Sequence, residues 1–188
     1  MPTIDGKACR LSTFYCPAEN TCKPCPPSSK SFGLGSVTCT CNAGYTQNGT
    51  ANALRCRPCP AGYTSTSGAA ECTICPAGFY SPVAGSGACI VCAAGSISAA
   101  NGSSSCSLCP AGHFSPVAGA TACQPVPPGY FSFSAGSTGY RICDQGTYNA
   151  VAAQAVCQPC SSGTVTANFG SVNEDDCVSP RINFIAVG

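Results

Sequence analysis

Large apolar residues in this chain come singly or in pairs, and turns set their spacing. Phe79-Tyr80, His113-Phe114 and Tyr130-Phe131 each follow a Gly that closes a Pro-Ala-Gly triplet or a variant of it, and each precedes a Ser. Gly62, Gly78, Gly95, Gly112, Gly129, Gly146 and Gly163 share that first position, where a turn can take φ > 0 without a Cβ clash. A second set, Gly85, Gly102, Gly119, Gly136 and Gly170, marks a return bend. Two turns around two to four extended residues predict a short hairpin-like loop. Helix has almost no place in such a pattern.

Cysteines punctuate the loops. Cys-x-x-Cys pairs fall at Cys22/Cys25, Cys56/Cys59, Cys72/Cys75, Cys89/Cys92, Cys106/Cys109 and Cys157/Cys160, and from Cys75 to Cys160 the second members keep a 17-residue register. One step is missing: Val126 stands where a second cysteine belongs, and Tyr140 where the following first one belongs. If each second cysteine bonds the next first one, Val126 and Tyr140 are the two ends of one absent bond and no thiol is stranded. Schemes pairing first with first or second with second strand two. The paired loss therefore favours Cys59–Cys72, Cys75–Cys89, Cys92–Cys106, Cys109–Cys123 and Cys143–Cys157. The same rule extends to Cys25–Cys39, Cys41–Cys56 and Cys160–Cys177. Cys9, Cys16 and Cys22 remain, so one of them is free, bonded to a preceding segment, or bonded to another chain. The aromatic residues of the unbridged loop, Tyr130, Phe131, Phe133 and Tyr140, read as packing in place of sulfur.

Composition explains why sulfur is needed. The 188 residues hold 19 cysteines, whereas Leu, Ile, Val, Phe and Met together make up about one residue in six. Such a chain cannot offset a backbone ordering cost of roughly 1–2 kcal/mol per residue by burial alone. A closed loop of about 15 residues is worth roughly 3 kcal/mol, so cross-links outweigh the sparse aliphatic side chains. The fold class expected is small, disulfide-rich and mostly irregular or β: a linear rod of tandem loops, each contacting only its neighbours. Eight Lys and Arg against seven Asp and Glu leave a net charge of +1 without a basic or acidic run, which argues against nucleic acid as a partner. There is no membrane span and no apolar signal region from Met1 to Tyr15, yet the cysteines suit an oxidising, extracellular or cell-surface setting. The chain reads as a mature, trimmed or partial piece of a secreted protein.

The run Cys-x-x-Cys-Pro-Ala-Gly-aromatic-x-Ser, clearest at Cys72 to Ser81, resembles the ephrin-receptor-like cysteine-rich repeat, related in style to tumour-necrosis-factor-receptor modules. It is similar as well to repeats in large secreted surface or appendage proteins of protists and algae. The resemblance spans Cys56 to Cys160 and implies a receptor, cell-coat or appendage setting. The expected organisation is an N-terminal cysteine-rich module over 1–41, tandem repeats over 42–160, a last extended repeat over 161–180 and a strand-like segment over 181–188.

Candidate chemistry is thin. Cys-x-x-Cys pairs could hold zinc, but grouping them by fours leaves Cys123 and Cys143 without companions. His113, the only histidine, occupies a position filled elsewhere by Phe79 or Tyr130, and no nucleophile–base set can be built around it. Glu174-Asp175-Asp176 reads as a solvated turn before a calcium site. No cofactor and no enzymatic activity are expected. Asn48-Gly49-Thr50 and Asn101-Gly102-Ser103 are N-glycan acceptor triplets, with the rarer Asn-x-Cys form at Asn20, and Pro82 and Pro116 are candidate O-glycan positions if the source is algal. The segment containing Ile182, Phe184, Ile185 and Val187 either begins a following domain or adds as an edge strand to a neighbouring subunit. The function expected is a self-associating structural subunit of a glycosylated filament, appendage or coat. The alternative is a stalk or ligand-binding ectodomain of a receptor or adhesin.

Overall fold

A computed structural model describes residues 3–4, 7–9, 12–16, 19, 21–49 and 53–180. Among the described residues its strands are two to four residues long and pair in antiparallel hairpins, with one isolated parallel bridge between Tyr148 and Ser171. Among the described residues the one helical turn is a 3-10 turn at Glu174–Asp176. The two-residue strands of the repeats follow from the sequence: a turn glycine, one or two bulky residues and a return bend leave room for two paired positions per arm, whereas Tyr45–Asn48, outside that pattern, pairs at four.

Two compact units can be distinguished. The first takes in residues 1–91 and 100–106. In it Tyr45–Asn48 pairs with Arg55–Pro58, Tyr63–Thr64 with Thr73–Ile74, and Phe79–Tyr80 with Ile90–Val91. Its apolar cluster joins Phe14, Cys16, Cys39, Cys41 and Leu54.

The second takes in residues 92–99 and 107–188. In it Ser96–Ile97 pairs with Ser107–Leu108, His113–Phe114 with Gln124–Pro125, and Tyr130–Phe131 with Arg141–Ile142. Thr147–Tyr148 pairs with Gln158–Pro159, and Val165–Thr166 with Cys177–Val178.

What is buried in both units is sulfur and small polar side chains. In the first, Cys59 and Cys75 are fully buried together with Ser65 and Ser81; in the second, Cys92, Cys109, Val126 and Cys143 are buried with Ser98, Ser115, Ser132, Asn149 and Thr166. Backbone hydrogen bonds run through this column. The Gly95 N–H donates to the Ser115 carbonyl (2.8 Å), the Cys109 N–H to the Gly95 carbonyl (2.9 Å), and the Gly136 N–H to the Cys109 carbonyl (2.8 Å). The first unit repeats the set: Gly62 N–H to Ser81, Cys75 N–H to Gly62, Gly102 N–H to Cys75. Each loop thus hangs on its successor by main-chain bonds that any residue can make. The aromatic side chains Tyr63, Phe79, Tyr80, Phe114, Tyr130 and Phe131 are half-buried.

The expectation that each loop contacts only its neighbours is corrected. A Cβ on Gly112 would overlap the carbonyl oxygen of Ala153, which lies two loops further on, and one on Gly95 would overlap that of Gly136. In the first unit Gly62 meets Gly102 in the same way. The first turn of a loop therefore presses its bare Cα against the return bend of the loop after next. That close approach demands glycine as strictly as the positive φ does.

Candidate functional site

The cross-links come first because everything else is mounted on them. The structure joins Cys25 to Cys39, Cys41 to Cys56, Cys59 to Cys72, Cys75 to Cys89, Cys109 to Cys123, Cys143 to Cys157 and Cys160 to Cys177, with Cα atoms 5.6–5.8 Å apart. Cys92 and Cys106 are disulfide-bonded as well. The three leftover cysteines resolve into a Cys9–Cys22 bond and a lone Cys16. Cys9–Cys22 spans 13 residues, the same span as Cys59–Cys72. Cys16 is only 5 % exposed, inside the cluster of Phe14, Cys39, Cys41 and Leu54, so its thiol is not presented for a bond to another chain. Near it on the surface, Lys23 pairs with Glu19, and the hydrogen bond its ammonium donates to that carboxylate is the main reason it titrates above the usual value.

The unbridged loop departs from its sisters in side chains and not in backbone. Val126 is fully buried in the place of a second cysteine and keeps both bonds of the column: its N–H donates to Gly112 (2.9 Å) and its carbonyl accepts from Ala153 (2.8 Å). Tyr140 is 44 % exposed, its ring set edge-on to Phe114 (centroids 4.9 Å apart) and to Tyr130 (5.1 Å). Aromatic edges thus hold the neck that sulfur holds elsewhere, as expected for Tyr130 and Tyr140. Phe133 does not join them. It is 59 % exposed, with the Arg141 guanidinium 5.4 Å above its ring. An open cavity of about 360 Å³ lies in this loop, lined by Phe131, Ser132, Phe133, Thr138, Tyr140 and Arg141 among others.

The modification candidates are dispersed. Asn48 ends the strand Tyr45–Asn48, exposed and opposite Arg55; Thr50 of its triplet and Asn20 lie outside the described residues. Asn101 sits exposed in a turn, its side-chain oxygen accepting the Ala77 N–H (2.9 Å), which leaves the amide nitrogen as the outward atom. Pro82 and Pro116 are exposed beside the buried Ser81 and Ser115. Ile182, Phe184, Ile185 and Val187 lie outside the described residues.

Of the acidic triplet, Asp176 serves the local backbone. Asn173 caps the 3-10 turn, and Asp176 returns a carboxylate oxygen to the Asn173 N–H (3.2 Å), a reciprocal capping box. His113 pairs with Pro125 in the hairpin position that Phe79 and Tyr130 occupy in theirs, and its Nδ1 is buried without a partner. Among the described residues no group of three or more His, Cys, Asp or Glu is placed to hold a metal ion, and no helix is long and apolar enough to cross a membrane.

Sequence reasoning missed two features. One is the column of buried Ser, Asn and Thr, because a hydroxyl side chain carries no signal of burial. The other is the groove with Phe133 and Arg141, which needs the hairpin register that places Phe131 opposite Arg141. No curated protein matches the chain. A family model described as tyrosine-protein kinase ephrin type A/B receptor-like matches it three times, over residues 62–105, 95–141 and 140–177.

Proposed function

Because the chain belongs to the ephrin-receptor-like cysteine-rich repeat family, whose three matches run through more than half of its length, we propose that it is a structural segment of a glycosylated extracellular filament, appendage or cell coat, without enzymatic activity. Its disulfides and its family both point to an extracellular or cell-surface location. The observation that carries the structural reading is the sameness of the loops. The same three backbone bonds recur around Gly62, Gly95 and Gly112. Identical cross-linked loops supply length, stiffness and protease resistance. Glycans on Asn48 and Asn101 would coat the exposed turns.

A stalk or ectodomain of a receptor or adhesin uses the same loops, and the groove of the unbridged loop favours it as the second reading. Electron microscopy of unreduced native material separates the two. Regular filaments with an axial repeat support the structural subunit; dispersed single molecules contradict it and leave the stalk.

A further inference from the structure

The cavity in the loop between Val126 and Cys143 combines features that none of its sister loops carries together. Arg141 is exposed and meets no carboxylate among the described residues; its guanidinium carbon lies over the Phe133 ring, 5.4 Å from its centre. A guanidinium ordered on an aromatic face keeps its edge donors for a carboxylate, which it can bind through two parallel N–H bonds. Ser132 lies on the wall only 3 % exposed, and its hydroxyl has no hydrogen-bond partner. Such a buried, unsatisfied hydroxyl carries a cost that a bound acceptor or donor would remove. Ser81 holds the equivalent place in the Cys75–Cys89 loop and is unpartnered too, so the serine alone does not mark the site. The aromatic and basic rim does.

Tyr140 supplies the fixed wall, because its ring is wedged against Phe114 and Tyr130. Gly139 leaves the mouth open: a Cβ built there meets nothing within 4 Å. The volume of about 360 Å³ lies at the lower end of ligand-site sizes and admits one or two rings. Apolar walls, a free hydroxyl and one oriented cation match a ring with apolar faces, several hydroxyls and one carboxylate.

We propose that this groove binds a uronate, a carboxylate-bearing sugar residue of an acidic glycan, with Arg141 taking the carboxylate, Phe133 and Tyr140 the ring faces, and Ser132 a sugar hydroxyl. The full chain with its disulfides intact is titrated with tri-galacturonate by calorimetry, and wild-type shift changes are mapped by nuclear magnetic resonance. The result expected is saturable binding with shifts centred on residues 131–141. Affinity falls at least about tenfold in Arg141→Gln, whose charged bond is lost, and several-fold in Phe133→Ala. Arg57→Gln, at an exposed arginine of the first unit, leaves binding unchanged. The proposal is overturned if no saturable binding occurs, if Arg141→Gln binds as well as wild type, or if the shifts lie elsewhere. Maltotriose binding as tightly would remove the carboxylate from the account, and tri-glutamate binding as tightly would remove the sugar. Because the wild-type map needs no variant, a misfolded substitution does not shelter the proposal.

Discussion

At the scale of single residues, the fold is most sensitive where one loop touches the loop after next. Gly112 has φ near +80° and no room for a methyl group under the Ala153 carbonyl, so Gly112→Ala combines a left-handed strain of about 1–2 kcal/mol with overpacking of about 1–3 kcal/mol. Its urea midpoint should fall correspondingly, whereas Gly139→Ala, facing open space, should leave it within about 0.5 kcal/mol of wild type. Equal loss in both would mean that the close contact is not there. Ala153 is the converse case: it holds φ of 65° at a bend where Gly136 and Gly170 hold 78° and 70°. Ala153→Gly should stabilise the chain by about 0.5 kcal/mol, the relief of strain exceeding the entropy glycine adds to the unfolded chain. The need for glycine at these turns was legible in the sequence, because a fixed register of glycines announces positive φ. That Gly112 is also held by its distance to Ala153 was not, since a period of 17 residues says nothing about contacts two periods away.

At the scale of one loop, the informative element is the one without a disulfide. The paired loss of cysteine at Val126 and Tyr140 was visible as sequence, and the structure supplies the reason it is tolerated. The backbone bonds of Val126 are those of a cysteine at the same place, and the ring of Tyr140 leans on two others. Tyr140→Ala should therefore cost about 1–3 kcal/mol, two aromatic contacts at about 0.5–1.5 kcal/mol each, measured as the shift in urea midpoint. Replacing both ends, Val126→Cys with Tyr140→Cys, should close the missing bond, lower the mass by two hydrogens and recover roughly 3 kcal/mol of loop entropy less the lost ring contacts. A double variant that stays reduced under oxidising conditions would contradict the equivalence of the two loop types. Phe133 shows where pattern reading stops. Bulk and aromaticity placed it among the packing residues, but it stands two residues beyond the strand Tyr130–Phe131, where no pairing register fixes its side, and here it turns out, under Arg141.

At the scale of the whole molecule, stability rests on cross-links and main-chain bonds in place of an apolar core. Full reduction under mild conditions should abolish any cooperative thermal transition, since the buried set left behind is mostly Ser, Thr, Asn and free thiols. A retained transition after reduction would show that the small apolar cluster around Phe14 and Leu54 suffices without the cross-links, and would contradict this account. The order of bonding is the central claim, because the loops, the groove and the proposed structural role all depend on each second cysteine joining the next first one. Peptide mapping of the unreduced chain by mass spectrometry tests it directly. The account requires nine disulfides, each within one loop from Cys9–Cys22 to Cys160–Cys177, and a single alkylatable thiol at Cys16 once the chain is denatured. A bridge such as Cys72–Cys89 or Cys75–Cys92, or a second free thiol, would contradict it.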